Sequence, residues 1–139
     1  MDKLLVSVES EAEMIAAGKT IAADLKEGDV VALNGQLGAG KTHLSKGIVA
    51  GLGSVDKVTS PTFSLVQEYQ GASLRIFHFD FYRLDDVSEL LRLGWDDYLD
   101  EDGVILVEWA DKFPDLMPEG TYCFDLAIKA DGRHTVTER

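Results

Sequence analysis

The segment Gly-Gln-Leu-Gly-Ala-Gly-Lys-Thr at positions 35–42 constrains the fold more than any other feature of this chain. It fits the pattern G-x4-G-K-[ST], whose glycines allow successive backbone N–H groups to surround phosphate oxygens. A continuous apolar run at residues 30–33 precedes the segment, and Leu44, Ile48 and Leu52 follow it at near-helical spacing. A buried strand, a glycine-rich turn and a helix are the context this pattern requires, so the sequence predicts a phosphate-binding loop.

Each fixed position of the loop has an expected role. Lys41 would place its ammonium on the β- and γ-phosphates, and we expect this charge to reach solvent and to make no core contact. The Thr42 hydroxyl would ligate Mg²⁺, and the start of the helix would add the positive end of its dipole. The predicted nucleotide-binding residues in and beside the loop are Gly35, Gly38, Ala39, Gly40, Lys41, Thr42 and His43.

Two carboxylates follow apolar stretches and are candidates to hold a metal ion beside the loop. Glu108 ends the fully apolar run at residues 104–107, which favours it as the metal acid. Asp80 follows the stretch at residues 74–79 and could either share the metal site or orient an attacking water. His78 lies two residues before Asp80, so both could face one side of a strand; a core role for His78 and a functional one are equally open.

The remaining pattern predicts a single domain over residues 1–139 with a mixed α/β sheet flanked by helices, of the P-loop NTPase type. Ser10 and Glu13 form a capping box before a helix that extends to about Leu25. Glycine-containing turns at residues 71–73 and 130–132 predict two antiparallel hairpins. Short helices are expected at residues 87–93 and 95–99, with Gly94 between them.

Charge and composition exclude several classes of protein. The net charge of −12 argues against nonspecific binding to nucleic acid through a basic surface. No run approaches the ~20 apolar residues that span a bilayer, and the start of the chain lacks a signal-peptide pattern. A lone cysteine, Cys123, agrees with a reducing compartment, so we expect a cytoplasmic protein that does not associate with membranes.

The sequence favours adenine over guanine as the nucleotide base. Guanine recognition normally uses an [NT]-K-x-D segment, and this chain contains none. It is also short for a nucleotide kinase and has no arginine-rich lid. An ATPase is therefore favoured, with a small-molecule phosphotransferase as the alternative and a nucleotide-dependent binding module as a second one. Residues 59–63 carry hydroxyls that suit a switch segment closing on the γ-phosphate.

Four segments together closely resemble one bacterial family: the loop at 35–42, Ser-Pro-Thr-Phe at 60–63, His-Phe-Asp-Phe-Tyr-Arg at 78–83 and Leu-Val-Glu-Trp at 106–109. The order resembles the TsaE family, small ATPases of tRNA threonylcarbamoyladenosine biosynthesis, over about residues 11–133. The resemblance implies Mg²⁺-dependent ATP hydrolysis that supports transfer of a threonylcarbamoyl group to adenosine 37 of tRNAs reading ANN codons. It also implies TsaD and TsaB as partners, with TsaC supplying the activated intermediate.

The resemblance further implies roles for individual residues. Lys41, Asp80 and Thr62 match catalytic positions, and Thr42 and Glu108 match metal ligands. Glu11 and Arg133 fall where the family approaches the nucleotide base. Because a chain of this charge cannot hold tRNA tightly, we expect the partner complex to hold it and this chain to dock through residues 60–63, 79–82 and Trp109. For Phe79 and Trp109 a buried core role is equally open.

Overall fold

The computed structural model describes residues 3–59 and 65–139. Within these ranges lie seven strands: β1 (Lys3–Val8), β2 (Val30–Asn34), β3 (Val66–Gln70), β4 (Arg75–Asp80), β5 (Gly103–Glu108), β6 (Tyr122–Ile128) and β7 (His134–Glu138). The helices are α1 (Glu11–Ala22), α2 (Lys41–Gly51), α3 (Val87–Leu93) and α4 (Trp95–Leu99), with two short 3-10 turns at Ala110–Lys112 and Pro114–Leu116.

All described strands join one sheet in the order β1-β7-β6-β2-β5-β4-β3. The four central strands, β6, β2, β5 and β4, are parallel to one another, whereas β3 and the β7–β1 pair are antiparallel additions at the two edges. The predicted mixed α/β sheet with antiparallel hairpins is therefore confirmed. The order places β2, which leads into the glycine-rich loop, directly beside β5, which ends in Glu108.

Helices cover both faces of the sheet, each over its own apolar core. On one face, α1 and α2 pack over a cluster that includes Leu44, Ile48 and Leu106. On the other face an aromatic cluster contains Phe77, Phe79 and Trp95, with the ring of Phe79 edge-on to Trp95 at 5.1 Å. Strands buried on both faces read as continuous apolar runs, which is why β2 and β5 carry no alternation in sequence.

The predicted boundaries agree with the observed ones within a few residues. Ser10 caps α1 by accepting a hydrogen bond from the backbone N–H of Glu13, as the capping box predicts. The helix ends at Ala22, earlier than the predicted end near Leu25. The two short helices α3 and α4 meet at Gly94, whose φ of 102° ends the first helix.

Close contact between α1 and α2 fixes the position of the glycine-rich loop. Gly18 on α1 and Gly47 on α2 allow this approach, because a Cβ at Gly47 would lie 2.0 Å from the Ile15 carbonyl oxygen. Met14 of α1 then reaches the loop, where a Cβ at Gly40 would lie 2.8 Å from its terminal methyl. Over residues 3–59 and 65–139, no helix is long and apolar enough to cross a membrane.

Candidate functional site

The loop between β2 and α2 adopts a conformation that its glycines make possible. Gly38 and Gly40 have φ values of 83° and 110°, a region that residues with a Cβ rarely adopt. Gly35 lies so close to β6 that a Cβ would be 2.5 Å from the Leu126 carbonyl oxygen. The predicted strand–loop–helix arrangement is present, and α2 begins at Lys41 directly after Gly40.

The Lys41 side chain folds back onto its own loop. Its ammonium donates hydrogen bonds to the carbonyl oxygens of Gly35 at 2.5 Å and Gln36 at 3.0 Å, and it lies 4.1 Å from the centre of the Trp109 ring. Lys41 is only 5% exposed, so the expectation of a solvent-reaching charge is wrong. Burial lowers the pKa of the Lys41 ammonium, and the carboxylates of Glu108 and Asp80 partly counter this by favouring the charged form.

Thr42 and Glu108, the two predicted metal ligands, lie together. The Thr42 hydroxyl donates to Glu108 Oε1 at 3.2 Å, and Glu108 is 3% exposed. Ser45 lies one turn further along α2, with its hydroxyl 2.9 Å from the Lys41 carbonyl oxygen, to which it donates, and 3.5 Å from Glu108 Oε2. Glu108, the predicted metal acid, is thus held against the first turn of the loop helix.

The residues present fit Mg²⁺ of the kind that binds with phosphates. Hydroxyl and carboxylate oxygens are the hard ligands that Mg²⁺ prefers, and those of Thr42 and Glu108 are close enough to share one ion. In the described part of the chain, no group of three or more His, Cys, Asp or Glu side chains could hold a metal alone. Mg²⁺ with one or two carboxylates usually completes its shell with phosphate oxygens and water.

Asp80 reaches the same site from the neighbouring strand. It pairs with Glu108 in the parallel register of β4 and β5, and it is 3% exposed. Its Oδ1 accepts a hydrogen bond from the backbone N–H of Tyr82 at 2.8 Å, which fixes the carboxylate where the chain leaves the sheet. The two acids predicted from separate apolar runs therefore meet at the carboxyl ends of the neighbouring strands β4 and β5.

Two adjoining clefts surround the loop. One, of ≈ 240 Å³, is lined by Leu37, Gly38, Gly40, Lys41, Thr42, His43, Asp80, Glu108 and Trp109. The other, of ≈ 330 Å³, is lined by Val8, Glu9, Ser10, Glu11, Met14, Gly38, Gly40, His43 and His134. The shared residues Gly38, Gly40 and His43 make them continuous around the loop. The first cleft contains the predicted phosphate and metal residues, and the second contains Glu11, one of the residues predicted to lie beside the base.

The predicted base-side residues gather at the second cleft. The Glu11 carboxylate lies 3.5 Å from the His43 imidazole, and both residues line the cleft. Arg133 adjoins the cleft through Glu9, with which it forms an ion pair at 2.9 Å. His134, given no role from sequence, also lines this cleft, and its Nδ1 lies 2.9 Å from the Ala39 carbonyl oxygen. Thr62 and the rest of the segment 60–63 lie outside the described residues.

Trp109 and Phe79 differ in exposure, although the sequence left a core role and a docking role equally open for both. Phe79 is fully buried, so it cannot be an exposed docking anchor. Trp109 is half-buried at the phosphate cleft, its ring lies 4.9 Å from that of the exposed Tyr82 with the planes tilted by 48°, and its φ is 60°. A left-handed conformation at a bulky residue is uncommon, and here it turns the indole toward Lys41. No sequence pattern indicated that contact.

Most of this chain is similar to known proteins of one family. The family model "Threonylcarbamoyl adenosine biosynthesis protein TsaE" matches residues 8–137. A relative in Haemophilus influenzae, named tRNA threonylcarbamoyladenosine biosynthesis protein TsaE, is 38% identical, and the alignment covers 96% of this chain and 88% of the relative. The relative of the same name in Bacillus subtilis is 46% identical, over 77% of this chain and 66% of its own length.

A solved structure extends the likeness to three dimensions. The crystal structure of YdiB from Bacillus subtilis superposes with a TM-score of 0.83 and 34% sequence identity. The match covers 99% of this chain and 86% of the YdiB chain. The fold is therefore shared along nearly the whole described sequence, edge hairpins included.

Proposed function

This chain belongs to the TsaE family, whose role lies in tRNA threonylcarbamoyladenosine biosynthesis, and from that premise we propose that it is a Mg²⁺-dependent ATPase acting with TsaD and TsaB. One observation carries the proposal: Lys41, Thr42, Asp80 and Glu108 all line a single cleft at the glycine-rich loop. That set contains the parts a phosphoryl-transfer site needs, namely a phosphate cation, a hydroxyl, a metal acid and a second carboxylate.

Binding of ATP would require Lys41 to change partners. Its ammonium would leave the carbonyls of Gly35 and Gln36 for the β- and γ-phosphates, which offer charged acceptors in place of neutral ones. The loop N–H groups and the start of α2 would bind the remaining phosphate oxygens. The adenosine would occupy the second cleft, beside Glu11 and His43, with Arg133 close by.

Thr42 and Glu108 would hold Mg²⁺, which when bound would neutralise charge between the β- and γ-phosphates. Asp80 would accept a hydrogen bond from the attacking water or share the metal site. Both roles would use its position beside Glu108 at the ends of β4 and β5. Thr62 stays a predicted catalytic residue on the strength of the family resemblance.

Hydrolysis by the isolated chain should be slow, and the partners should accelerate it. Lys41 is the only lysine or arginine that lines the phosphate cleft in the described part of the chain, so no arginine finger of this chain stands there to stabilise the transition state beside the metal. A cation supplied in trans can contribute about 10³ to 10⁵ in rate. The tRNA would be held by the partner complex, because the net charge of −12 opposes direct binding to phosphates.

The test uses the purified chain with γ-labelled ATP and Mg²⁺, alone and with TsaD and TsaB. We expect label in inorganic phosphate, faster release with the partners, and threonylcarbamoylation of unmodified tRNA that requires this chain. Label transferred to added nucleosides or sugars would instead identify a small-molecule phosphotransferase. A variant that binds ATP without hydrolysing it, yet supports full modification, would identify a nucleotide-dependent binding module.

A further inference from the structure

A buried line of polar side chains runs from Glu108 away from the cleft and into the sheet. Its first member, His78, is completely buried, with Nε2 2.5 Å from Glu108 Oε2. A carboxylate only accepts hydrogen bonds, so the Nε2–H of His78 donates to it. His78 and Glu108 lie on adjacent strands, β4 and β5, and both face the α1/α2 side of the sheet.

The line continues on the far side of the imidazole. His78 Nδ1 lies 3.2 Å from the hydroxyl oxygen of Tyr69, a side chain of β3 that is 4% exposed. The Tyr69 hydroxyl is in turn 2.6 Å from Oε1 of Gln67 and 3.3 Å from the carbonyl oxygen of Thr59. Gln67 and Thr59 also bond to each other through their side chains. The imidazole thus has a polar neighbour at each nitrogen and cannot rotate without breaking a buried contact.

The contacts divide the two oxygens of Glu108 between two tasks. Oε1 faces the Thr42 hydroxyl in the phosphate cleft, while Oε2 accepts from His78. The Ser45 hydroxyl also lies 3.5 Å from Oε2, but it donates at the shorter distance of 2.9 Å to the Lys41 carbonyl. His78 is therefore the group that fixes the rotation of the carboxylate and leaves Oε1 directed at Thr42.

We propose that His78 is a positioning residue for the metal acid Glu108 and that Tyr69 holds His78 in that orientation, an inference that rests on the proposed Mg²⁺–ATP function. Partners behind a metal-binding carboxylate orient it, and removing them typically lowers metal affinity about 10- to 100-fold. Neither His78 nor Tyr69 lines the phosphate cleft. His78 therefore acts through Glu108, and Tyr69 acts through His78.

A buried imidazole could also serve packing alone, and the choice of variants separates the two roles. His78→Leu removes both ring nitrogens and fills the space with apolar atoms. His78→Gln keeps an N–H donor at about the reach of Nε2, so it should restore what Leu loses if positioning is the role. Tyr69→Phe removes one hydroxyl, and Tyr98→Phe is its matched control because Tyr98 packs in the aromatic cluster on the opposite face.

The measurement is the affinity for a non-hydrolysable ATP analogue by calorimetry, titrated with Mg²⁺ and repeated in EDTA, on proteins whose circular dichroism matches wild type. For His78→Leu we expect the Mg²⁺ concentration at half-maximal enhancement to rise about 10- to 100-fold, with unchanged affinity in EDTA. His78→Gln should recover most of that loss, Tyr69→Phe should show a smaller rise, and Tyr98→Phe should behave as wild type.

A folded His78→Leu with the wild-type Mg²⁺ midpoint would overturn the proposal. If that variant does not fold, a wild-type midpoint in Tyr69→Phe would overturn it as well, because the line behind Glu108 would then have no effect on metal binding. An equal loss in EDTA and in Mg²⁺ would also contradict it, since the effect would not pass through the metal acid. If Mg²⁺ did not change the affinity of the wild-type protein for the analogue, the proposed function itself would be refuted, and this inference with it.

Discussion

Replacing Lys41 with methionine separates its role in nucleotide binding from its role in stability. Methionine keeps an unbranched apolar stem but removes the ammonium. In the folded protein that ammonium donates to two loop carbonyls and lies over Trp109. Hydrogen bonds to charged groups contribute roughly 1.5–3 kcal/mol each, but burial of the ammonium opposes them, as its lowered pKa indicates.

The loss of stability in Lys41→Met should therefore be small. Gln36 is exposed and Gly35 half-buried, so water can satisfy their carbonyls once the ammonium is gone. We expect the free energy of unfolding to stay within about 1 kcal/mol of wild type, which is the net contribution of a typical hydrogen bond to stability. Urea unfolding followed by circular dichroism measures this difference.

The loss of ATP affinity should be larger, although smaller than the full value of two phosphate contacts. Wild-type Lys41 must first break its hydrogen bonds to Gly35 and Gln36. Its contribution to ATP affinity is therefore only the difference in free energy between bonds to charged phosphate oxygens and bonds to neutral carbonyls. If that difference is about one charge-assisted bond, roughly 1.5–3 kcal/mol, the dissociation constant rises about 10- to 150-fold. Calorimetry with ATP and Mg²⁺ gives the value.

Lys46→Met is the matched control, since Lys46 lies on the same helix and lines neither cleft of the loop. It should leave ATP affinity unchanged. A less than threefold loss in Lys41→Met would show that Lys41 stays on its own loop and does not serve the phosphates. A fall in stability of more than about 3 kcal/mol would show that Lys41 is mainly structural, and would refute the reasoning from burial.

Four further predictions concern the metal, the base, pH and the second cleft. Glu108→Gln should raise the Mg²⁺ midpoint of nucleotide binding about tenfold or more, and identical titrations for it and the exposed control Glu119→Gln would exclude Glu108 as a ligand. ATP should raise the melting temperature more than GTP at equal concentration, whereas an equal shift with GTP would contradict the preference for adenine. Because the pKa of Lys41 is lowered in the folded protein, the unfolded chain binds more protons at pH values between that pKa and the ordinary lysine pKa. The contribution of Lys41 to the free energy of unfolding should therefore rise with pH across this range, as melting at several pH values would show. ATP affinity should fall over the same range because Lys41 loses its charge, and calorimetry would measure this. Arg133→Ala should weaken ATP but not inorganic triphosphate, and parallel losses for both would place Arg133 at the phosphates.

Local sequence was enough for the glycine-rich loop and for most element boundaries. The pattern at 35–42 needs only its own glycines and the apolar residues on either side, so the strand, the loop and α2 follow from neighbours in the chain. Alternation along β4 likewise places His78 and Asp80 on one face. The end of α1 was placed too late because Leu25 continues the apolar spacing after the hydrogen bonding has changed.

Only the tertiary structure decided how the site is assembled. Strand order brings β4 and β5, which carry Asp80 and Glu108, into one register, and pairing between strands distant in sequence leaves no local trace. The same pairing encloses His78 between Glu108 and Tyr69, a contact across three strands that alternation in one strand cannot reveal. Lys41 was expected to reach solvent because its ammonium was assigned to the phosphates. The carbonyls of its own loop and the ring of Trp109, which directly follows β5, enclose it instead. Local periodicity determines which face a side chain takes, but its surroundings depend on contacts that form only when the whole sheet is complete.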